Sequence, residues 1–553
     1  MREIKEVKQH SFMKNVAIIL MSQMMVKILG MVYRLVITNI EGFGDKGNGF
    51  YNAGFQIYTL LLAISSVGIP NAIAKMVSEK TALGDYRGAH KIFKTAFFLF
   101  AAIGFVCSLA LFFGAGFIAD VIIEMPGVKY TLMALSPSIF FVCVSSVIRG
   151  YFGGLQNMNA TSTSQILEQV FKCTCTILIV LVLVGQSPEI MAAGANLATS
   201  IATVLSFSYL LVFYQRRKKG IWEKARTSAV ETQNKPLMLI IKSILMISIP
   251  ISLGSIITAI NRVIDTATIT RGIEVAFANG IPGQFGIPTA KQLQDEAVRL
   301  AGLLSKSDVL INMPLALNIA FSTVLVPSVS SALALGDKKS AAGKVSYSLL
   351  VSIMLILPCA VGYITLAKPI YLLLYPNAKL GYDLLQLSAV ALIFTALNQT
   401  ISGSLQGMGK VFVPATGLLF GCIAKVILNI ILIRQTNINI YGAAISSIVC
   451  QMIAFGICFA VLAKNLTLKI SFFKYIAKPL LASIIMGITA VASYKGLMVA
   501  VHRNMIATLG AIVIAAVVYF VCVLVFRIMN KEEISMLPMG KKIVKKLEQM
   551  RIY

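Results

Sequence analysis

Charge is scarce in this chain. Asp, Glu, Lys and Arg make up 13% of its 553 residues, against 57% apolar residues and a mean hydropathy of +0.83. That poverty excludes a disordered chain and leaves no room for an ordinary soluble globular one. Histidine is nearly absent: His10, His90 and His502 fall in the tail or in loops, so they assemble no proton relay or metal cluster within a membrane. A Walker A sequence is missing, which removes an intrinsic ATP motor and leaves an ion gradient, the membrane potential or the substrate's own gradient as the energy source. Tryptophan occurs once, as Trp222 in a basic loop, where an interface anchor is the simplest reading. The nine cysteines all lie inside apolar runs without Cys-x-x-Cys spacing, the pattern of small buried hydrophobes rather than of metal ligands or disulfides.

Long apolar runs fill the chain instead. A spanning helix needs about 20 mostly apolar residues, and fourteen such runs occur, near 14–38, 52–74, 92–117, 130–150, 161–184, 190–213, 242–265, 303–330, 345–366, 383–405, 413–433, 441–462, 475–499 and 505–528. They are continuous rather than alternating, so they predict helices and not a barrel. Of the 49 Lys and Arg, 33 fall in or at the edge of segments on the side of the N-terminus and 11 on the opposite side. The positive-inside rule therefore places both termini in the cytoplasm. Arg216 to Lys219 and Lys541, Lys542, Lys545 and Lys546 carry much of this bias. Most of the net +27 is topology signal and attraction to anionic lipid headgroups; nucleic acid is not needed to explain it. Val16 to Val26 imitates a signal-peptide core, but Lys27 and Arg34 follow it and no small-residue cleavage site does, so it is expected to be retained.

Shifting the chain by about 250 residues reveals a repeat. Gly154-Leu155-Gln156-Asn157-Met158 meets Ser404-Leu405-Gln406-Gly407-Met408, Leu135-Ser136 meets Leu387-Ser388, and Gly194-Ala195 meets Gly442-Ala443. Gly84-Asp85 meets Gly336-Asp337, each following a late proline of the preceding span, Pro70 and Pro327. Six spans per half is an even number, so the halves share one orientation. The expected fold is all-α and polytopic: fourteen transmembrane helices in two six-helix lobes of parallel pseudo-repeat, plus two C-terminal helices. The N-lobe covers 1–215, a basic cytoplasmic linker 216–241, and the C-lobe 242–463 with an external connection at 266–302. Spans thirteen and fourteen occupy 464–530, and a basic cytoplasmic tail 531–553.

With bases near the ends of runs counted with the adjoining loops, five lie within spans: Lys27, Arg34, Lys172, Arg262 and Lys425. A Lys or Arg at mid-bilayer costs about 2.5–3.5 kcal/mol, so such a set is tolerable where it lines water or meets an anion. Lys27 and Arg34 are seven residues apart and share a helix face. At an offset of 228 residues Arg262 matches Arg34 in the other half. Arginine suits bidentate recognition of phosphate, which makes these five the candidate substrate-binding residues of a cationic cavity. Each has a plainer alternative. Arg34 and Arg262 lie near span ends and Lys27 deeper, and all three have snorkelling as a rival role. Lys172 follows Glu168 by four residues, the order for a helical ion pair; Lys425 stands alone. Asp265 is placed to hold Arg262, beside Asn261, and Gln165 and Gln169 are placed to bond either a sugar or a neighbouring helix. These four and Glu168 are the supporting or coupling candidates. No catalytic residue, metal site or cofactor is expected.

The external connection reads as a helix running past Asp265 toward Ala278, a break at Gly280-Ile281-Pro282-Gly283 and Gly286-Ile287-Pro288, and a second helix over Thr289 to Leu304. An outer gate and a passive hairpin both fit. Its Asp295-Glu296 pair is the only candidate for enzymatic acids and is more simply a solvated helix face. A multidrug or cation antiporter would want acids in the first half, where Glu168 is the only one within a span.

Several stretches resemble a known family. Gly30-Met31-Val32-Tyr33-Arg34, Glu41-Gly42, Gly47-Asn48-Gly49-Phe50-Tyr51, Gln56-Ile57-Tyr58 and Gly68-Ile69-Pro70-Asn71-Ala72-Ile73-Ala74-Lys75-Met76-Val77-Ser78-Glu79 resemble the opening of the polysaccharide transporter family. This family of the multidrug/oligosaccharidyl-lipid/polysaccharide exporter superfamily includes stage V sporulation protein B and the Gram-positive MurJ-type lipid II flippases. Leu155 to Met158, Gln165 to Gln169, Asn261 to Asp265 and Leu325 to Ser328 extend the likeness, over roughly residues 10–460. It implies a V-shaped two-lobe fold and outward flipping of an undecaprenyl-pyrophosphate-linked saccharide in the bacterial cytoplasmic membrane, with no bond made or broken. The implied partners are that lipid-linked saccharide, membrane lipids and cell-wall synthesis proteins, around a monomer. Lys27 and Arg34 flank Leu29-Gly30 as the MurJ-type pattern requires, with Arg34 displaced by one position. The family's bases in spans two and eight are not reproduced: span two reads Leu60-Leu61-Leu62, and Lys306 is the nearest base to span eight. The cargo is thus open between peptidoglycan lipid II and another lipid-linked repeat unit.

Overall fold

In a lipid interior each backbone polar group must be satisfied within its own segment, and in the computed structural model every regular element among the described residues is helical. Those residues are 21–63, 65, 68–226, 236–468, 470–535 and 544. His10, part of the 216–241 linker, and Lys541, Lys542, Lys545 and Lys546 of the tail lie outside them, as does the side chain of Trp222. Among the described residues thirteen helices are long and apolar enough to cross a membrane.

The helices of the first half are α1 (Met21–Thr38), α2 (Gly44–Ala63), α3 (Ile69–Ala82), α4 (Tyr86–Phe117), α5 (Val128–Gly154), α6 (Met158–Val182), α7 (Pro188–Arg226) and α8 (Leu237–Ala276). Then follow α9 (Ala290–Ala334), α10 (Lys338–Leu374), α11 (Tyr382–Gly407), α12 (Phe412–Leu432), α13 (Tyr441–Asn465), α14 (Lys478–Val501), α15 (Asn504–Val525) and the short α16 (Lys531–Ser535). The span expected at 52–74 takes in the last part of α2, to Ala63, and the first part of α3, from Ile69, with Ser65 and Gly68 between them also helical.

The chain forms two compact units, Met1–Ser305 with Asn429–Ile440, and Lys306–Leu428 with Tyr441–Tyr553. This division falls inside α9 rather than at the basic linker, because α8 packs on α2, α3 and α4. Gly68 makes that approach possible: a Cβ there would collide with Ser252 and with the Ser248 backbone. In the first unit α5 is the central helix, 72% of its apolar window being buried. In the second, α14 and α15 pack on α10, and Tyr519 Oη donates to the Met354 carbonyl at 2.9 Å.

The repeat is visible as identical local geometry within each unit. Gly84 (φ 77°) precedes Asp85, whose carboxylate accepts from Gly88 N at 2.7 Å to cap α4. Gly336 (φ 74°) precedes Asp337, which accepts from Ser340 N at 2.8 Å to cap α10. The last turns of α5 lie against α3, Gly154 facing Val77, and the last turns of α11 lie against α9, Gly407 facing Val326 and Val329. Such small-residue crossings substitute close van der Waals packing for the hydrophobic drive that lipid removes. The connection between α8 and α9 has the local structure its sequence predicts: α8 ends at Ala276, Gly280, Gly283 and Gly286 take positive φ, and α9 begins at Ala290. Thr289 and Gln292 cap α9 reciprocally, Thr289 N donating to Gln292 Oε1 at 2.8 Å and Gln292 N to Thr289 Oγ1 at 3.4 Å.

Candidate functional site

Two faces divide α1. Met21, Met25, Ile28, Val32 and Val36 form an exposed apolar stripe. Gln23, Lys27, Gly30 and Arg34 recur at steps of four, three and four residues, which at 3.6 residues per turn puts them about half a turn from that stripe. Snorkelling from a lipid face would require the cations to share the apolar side, and they do not. On α8, Arg262 is exposed opposite Ile249, Ile260 and Val275, on the face that also carries the exposed Ile251. Arg262 lies within electrostatic range of Lys27, so the first unit holds two like charges near one another in membrane-spanning helices.

Arg34 is fixed from two sides. Its Nη2 donates to Ser305 Oγ on α9 at 2.7 Å, and its guanidinium lies over the Tyr51 ring, 4.7 Å from the centroid. Nε is buried and has no acceptor among the described residues. Ser305 reaches Arg34 because α9 crosses α2 closely, a Cβ at Gly302 being excluded by the Asp45 backbone. The Tyr51 hydroxyl pairs with that of Tyr33 at 2.8 Å. Beyond Tyr33 comes Lys172, buried, with Nζ 5.7 Å from the Tyr33 ring centroid and 4.2 Å from that of Phe55. A desolvated cation–π contact is worth about 2 kcal/mol, comparable to the cost of the buried ammonium. Arg34, Tyr51, Tyr33 and Lys172 are thus one connected set drawn from α1, α2 and α6.

Lys172 does not pair with Glu168. Glu168 takes Arg149 of α5 instead, at 2.7 Å from Nη2, and Arg149 also donates to Ser164 Oγ (2.9 Å) and Ser206 Oγ (3.0 Å). The carboxylate goes to the guanidinium because the planar fork meets Glu168 and both serines at once. Gln165 accepts from Gln23 Nε2 at 3.0 Å, a helix-to-helix bond, and Gln169 packs over Gly30, its Nε2 3.5 Å from where a Cβ would stand. Asp265 accepts from Asn429 Nδ2 at 3.1 Å, and Asn429 also donates to Thr268 Oγ1 at 2.8 Å. Asn261 is half-buried next to Arg262. Near the start of α9 Asp295 pairs with Lys46 at 3.0 Å and Glu296 with Arg299, so these acids hold ion pairs rather than face one another.

The second unit treats its bases differently. Lys425 on α12 is 2% exposed and Lys306 on α9 is 1% exposed. Lys306 Nζ donates to the carbonyls of Ala378 (2.7 Å) and Leu380 (2.8 Å) and lies against the rings of Tyr371 and Tyr375. Its ammonium ties α9 to the connection between α10 and α11, as a strut. Of the five cationic candidates, four lie in the first unit and Lys425 in the second. Sequence reasoning missed Arg149, Ser305 and the Tyr33–Tyr51 pair. Arg149 was counted with a loop edge, and Tyr33 and Tyr51 stood inside quoted motifs without a chemical reason to single them out.

A family model for "Polysaccharide biosynthesis protein" matches residues 12–333, and one for "Lipid II flippase MurJ" matches residues 300–532. Stage V sporulation protein B of Bacillus subtilis (strain 168) is 23% identical over 97% of this chain and 100% of its own length. Lipid II flippase MurJ of the same organism is 26% identical over 74% of this chain and 75% of its own. Among solved structures, lipid II flippase MurJ in an inward closed conformation shares the fold, with a TM-score of 0.64 and 16% identity over 92% of this chain and 98% of that one.

Proposed function

We propose that this chain, a multi-pass membrane protein that belongs to the polysaccharide biosynthesis protein family, is a flippase for a polyprenyl-pyrophosphate-linked saccharide, with peptidoglycan lipid II as the first candidate cargo and another lipid-linked repeat unit as the alternative. The observation that carries this reading is the polar face of α1: Lys27 and Arg34 turned away from the exposed apolar stripe, with Arg262 of α8 in electrostatic range of Lys27. Like charges held together in membrane-spanning helices are unfavourable on their own and become favourable around a pyrophosphate. Arg34 supplies a planar donor set stacked on Tyr51 and steered by Ser305, with Nε and the remaining N–H groups suited to phosphate oxygens. A cationic drug meets repulsion at the same face. The two repeat-related lobes, 1–215 and 242–463, alternate in opening to either side of the cytoplasmic membrane, with both termini inside.

The test is direct. Protein reconstituted in vesicles should move a labelled undecaprenyl-pyrophosphate saccharide to the opposite leaflet and leave the same saccharide on uncharged undecaprenol behind. Equal handling of both would place recognition in the polyprenyl tail and remove the charge argument, and transport of ethidium-like cations alone would make the chain an antiporter. Orientation is read separately, in a background without native cysteines: a cysteine at Lys218 should be protected from an impermeant thiol reagent in intact cells and one at Gly283 should react.

A further inference from the structure

At the first turns of α4, Arg87, Lys91, Lys94 and Phe98 follow one another at steps of four, three and four residues and therefore share a helix face. They line a cavity of about 520 Å³ together with His90, Thr95 and Leu99 of α4 and Leu237 and Ile241 of α8. Lys218 of α7 and Lys94 both lie within electrostatic range of His90. The polarity changes sharply along the groove. Residues 95–117 of α4 contain no charge, and 23 residues rise about 35 Å, enough to cross the hydrocarbon core. The basic end of the cavity therefore sits at headgroup depth and its apolar end, where Phe98 is 71% and Leu237 58% exposed, faces the acyl region.

We propose that this cavity is a binding site for an anionic membrane phospholipid, the phosphate held by Lys91 and Lys94, beside Arg87, whose Nη2 also donates to the Arg226 carbonyl at 3.2 Å, and the chains laid along Phe98, Leu99, Leu237 and Ile241. Charge complementarity selects an anion, and the apolar continuation selects an amphiphile over a free phosphate. The site is separate from the translocation face: Arg262 is 21 residues beyond Ile241 on α8, roughly 32 Å along the helix. The inference accordingly stands without the cargo assignment. A lipid seated here bridges α4 and α8 within the first unit, its headgroup on α4 and its chains on both helices.

The test uses the purified full chain in detergent, titrated with phosphatidylglycerol, with phosphatidylcholine of the same acyl chains and with glycerol phosphate, followed by native mass spectrometry and thermal melting. Phosphatidylglycerol should bind saturably and raise the melting temperature, while the other two do neither. Each basic residue near the headgroup contributes about fivefold in affinity, so Lys91→Gln with Lys94→Gln should weaken phosphatidylglycerol roughly 25-fold, and Lys91→Arg with Lys94→Arg should retain it. Unchanged phosphatidylglycerol affinity in the glutamine pair overturns the site. So does glycerol phosphate binding as tightly as the lipid, or undecaprenyl pyrophosphate displacing the phospholipid in preference to it.

Discussion

The two compact units repeat one another in their turns and helix crossings and differ in what they do with positive charge. In the first, Lys27 is exposed on a helix face turned from the apolar stripe, Arg262 is exposed, and Arg34 is gripped by one nitrogen, with Nε lacking an acceptor among the described residues. In the second, Lys306 and Lys425 are almost wholly buried, and Lys306 spends its ammonium on two backbone carbonyls and two tyrosine rings. Like scaffolds thus hold a charge set suited to a ligand in one case and a structural strut in the other. A base in a membrane span is therefore not by itself a binding residue; what its donors already touch decides.

That contrast is open to experiment, beginning with its strongest consequence. Arg34→Ala should lower the initial rate of lipid-linked saccharide translocation on the order of 100-fold, the loss of about 3 kcal/mol of charged hydrogen bonding, while quantified membrane abundance stays near wild type. Arg34→Lys should restore part of the rate, since a point charge does not reproduce the planar fork. Full activity of the alanine variant would put Arg34 on the same footing as Lys306. Lys306→Met should behave in the opposite way: the carbonyls of Ala378 and Leu380 lose their donor, at about 1–3 kcal/mol each, so the purified protein should melt several degrees lower and accumulate poorly, with the transport rate per folded molecule little changed. A stable, inactive Lys306→Met would instead mark Lys306 as a ligand-facing base.

The smallest effects probe the repeat itself. Asp337 is an exposed cap, and Asp337→Ala should cost about 1 kcal/mol of stability. Asp85 caps the equivalent helix but is 2% exposed and also pairs with Lys80 at 2.8 Å, so Asp85→Ala should cost more, about 2 kcal/mol. Denaturation of both variants in the same detergent compares them; equal losses would mean that the Lys80 pair contributes nothing.

Much of the fold was legible in the order of residues, and for a local reason. Apolar runs long enough to span, the Gly84-Asp85 and Gly336-Asp337 turns, and the Thr289–Gln292 cap depend on neighbours within a few positions, and composition determines them. The spacing of Lys27 and Arg34 likewise put both on one face of α1 without any knowledge of what that face meets. Tertiary structure alone decided the rest. Glu168 chose Arg149, 19 residues away, over Lys172, four away, because α5 and α6 bring the guanidinium and the two serines to it. Arg34 met Ser305 across 271 residues, and Lys306 was satisfied by carbonyls 72 and 74 positions on. The number and approximate place of the charges were thus set by the sequence; which of them remain available to an anion was set by helix packing, since desolvation and donor geometry depend on neighbours that only the folded chain supplies.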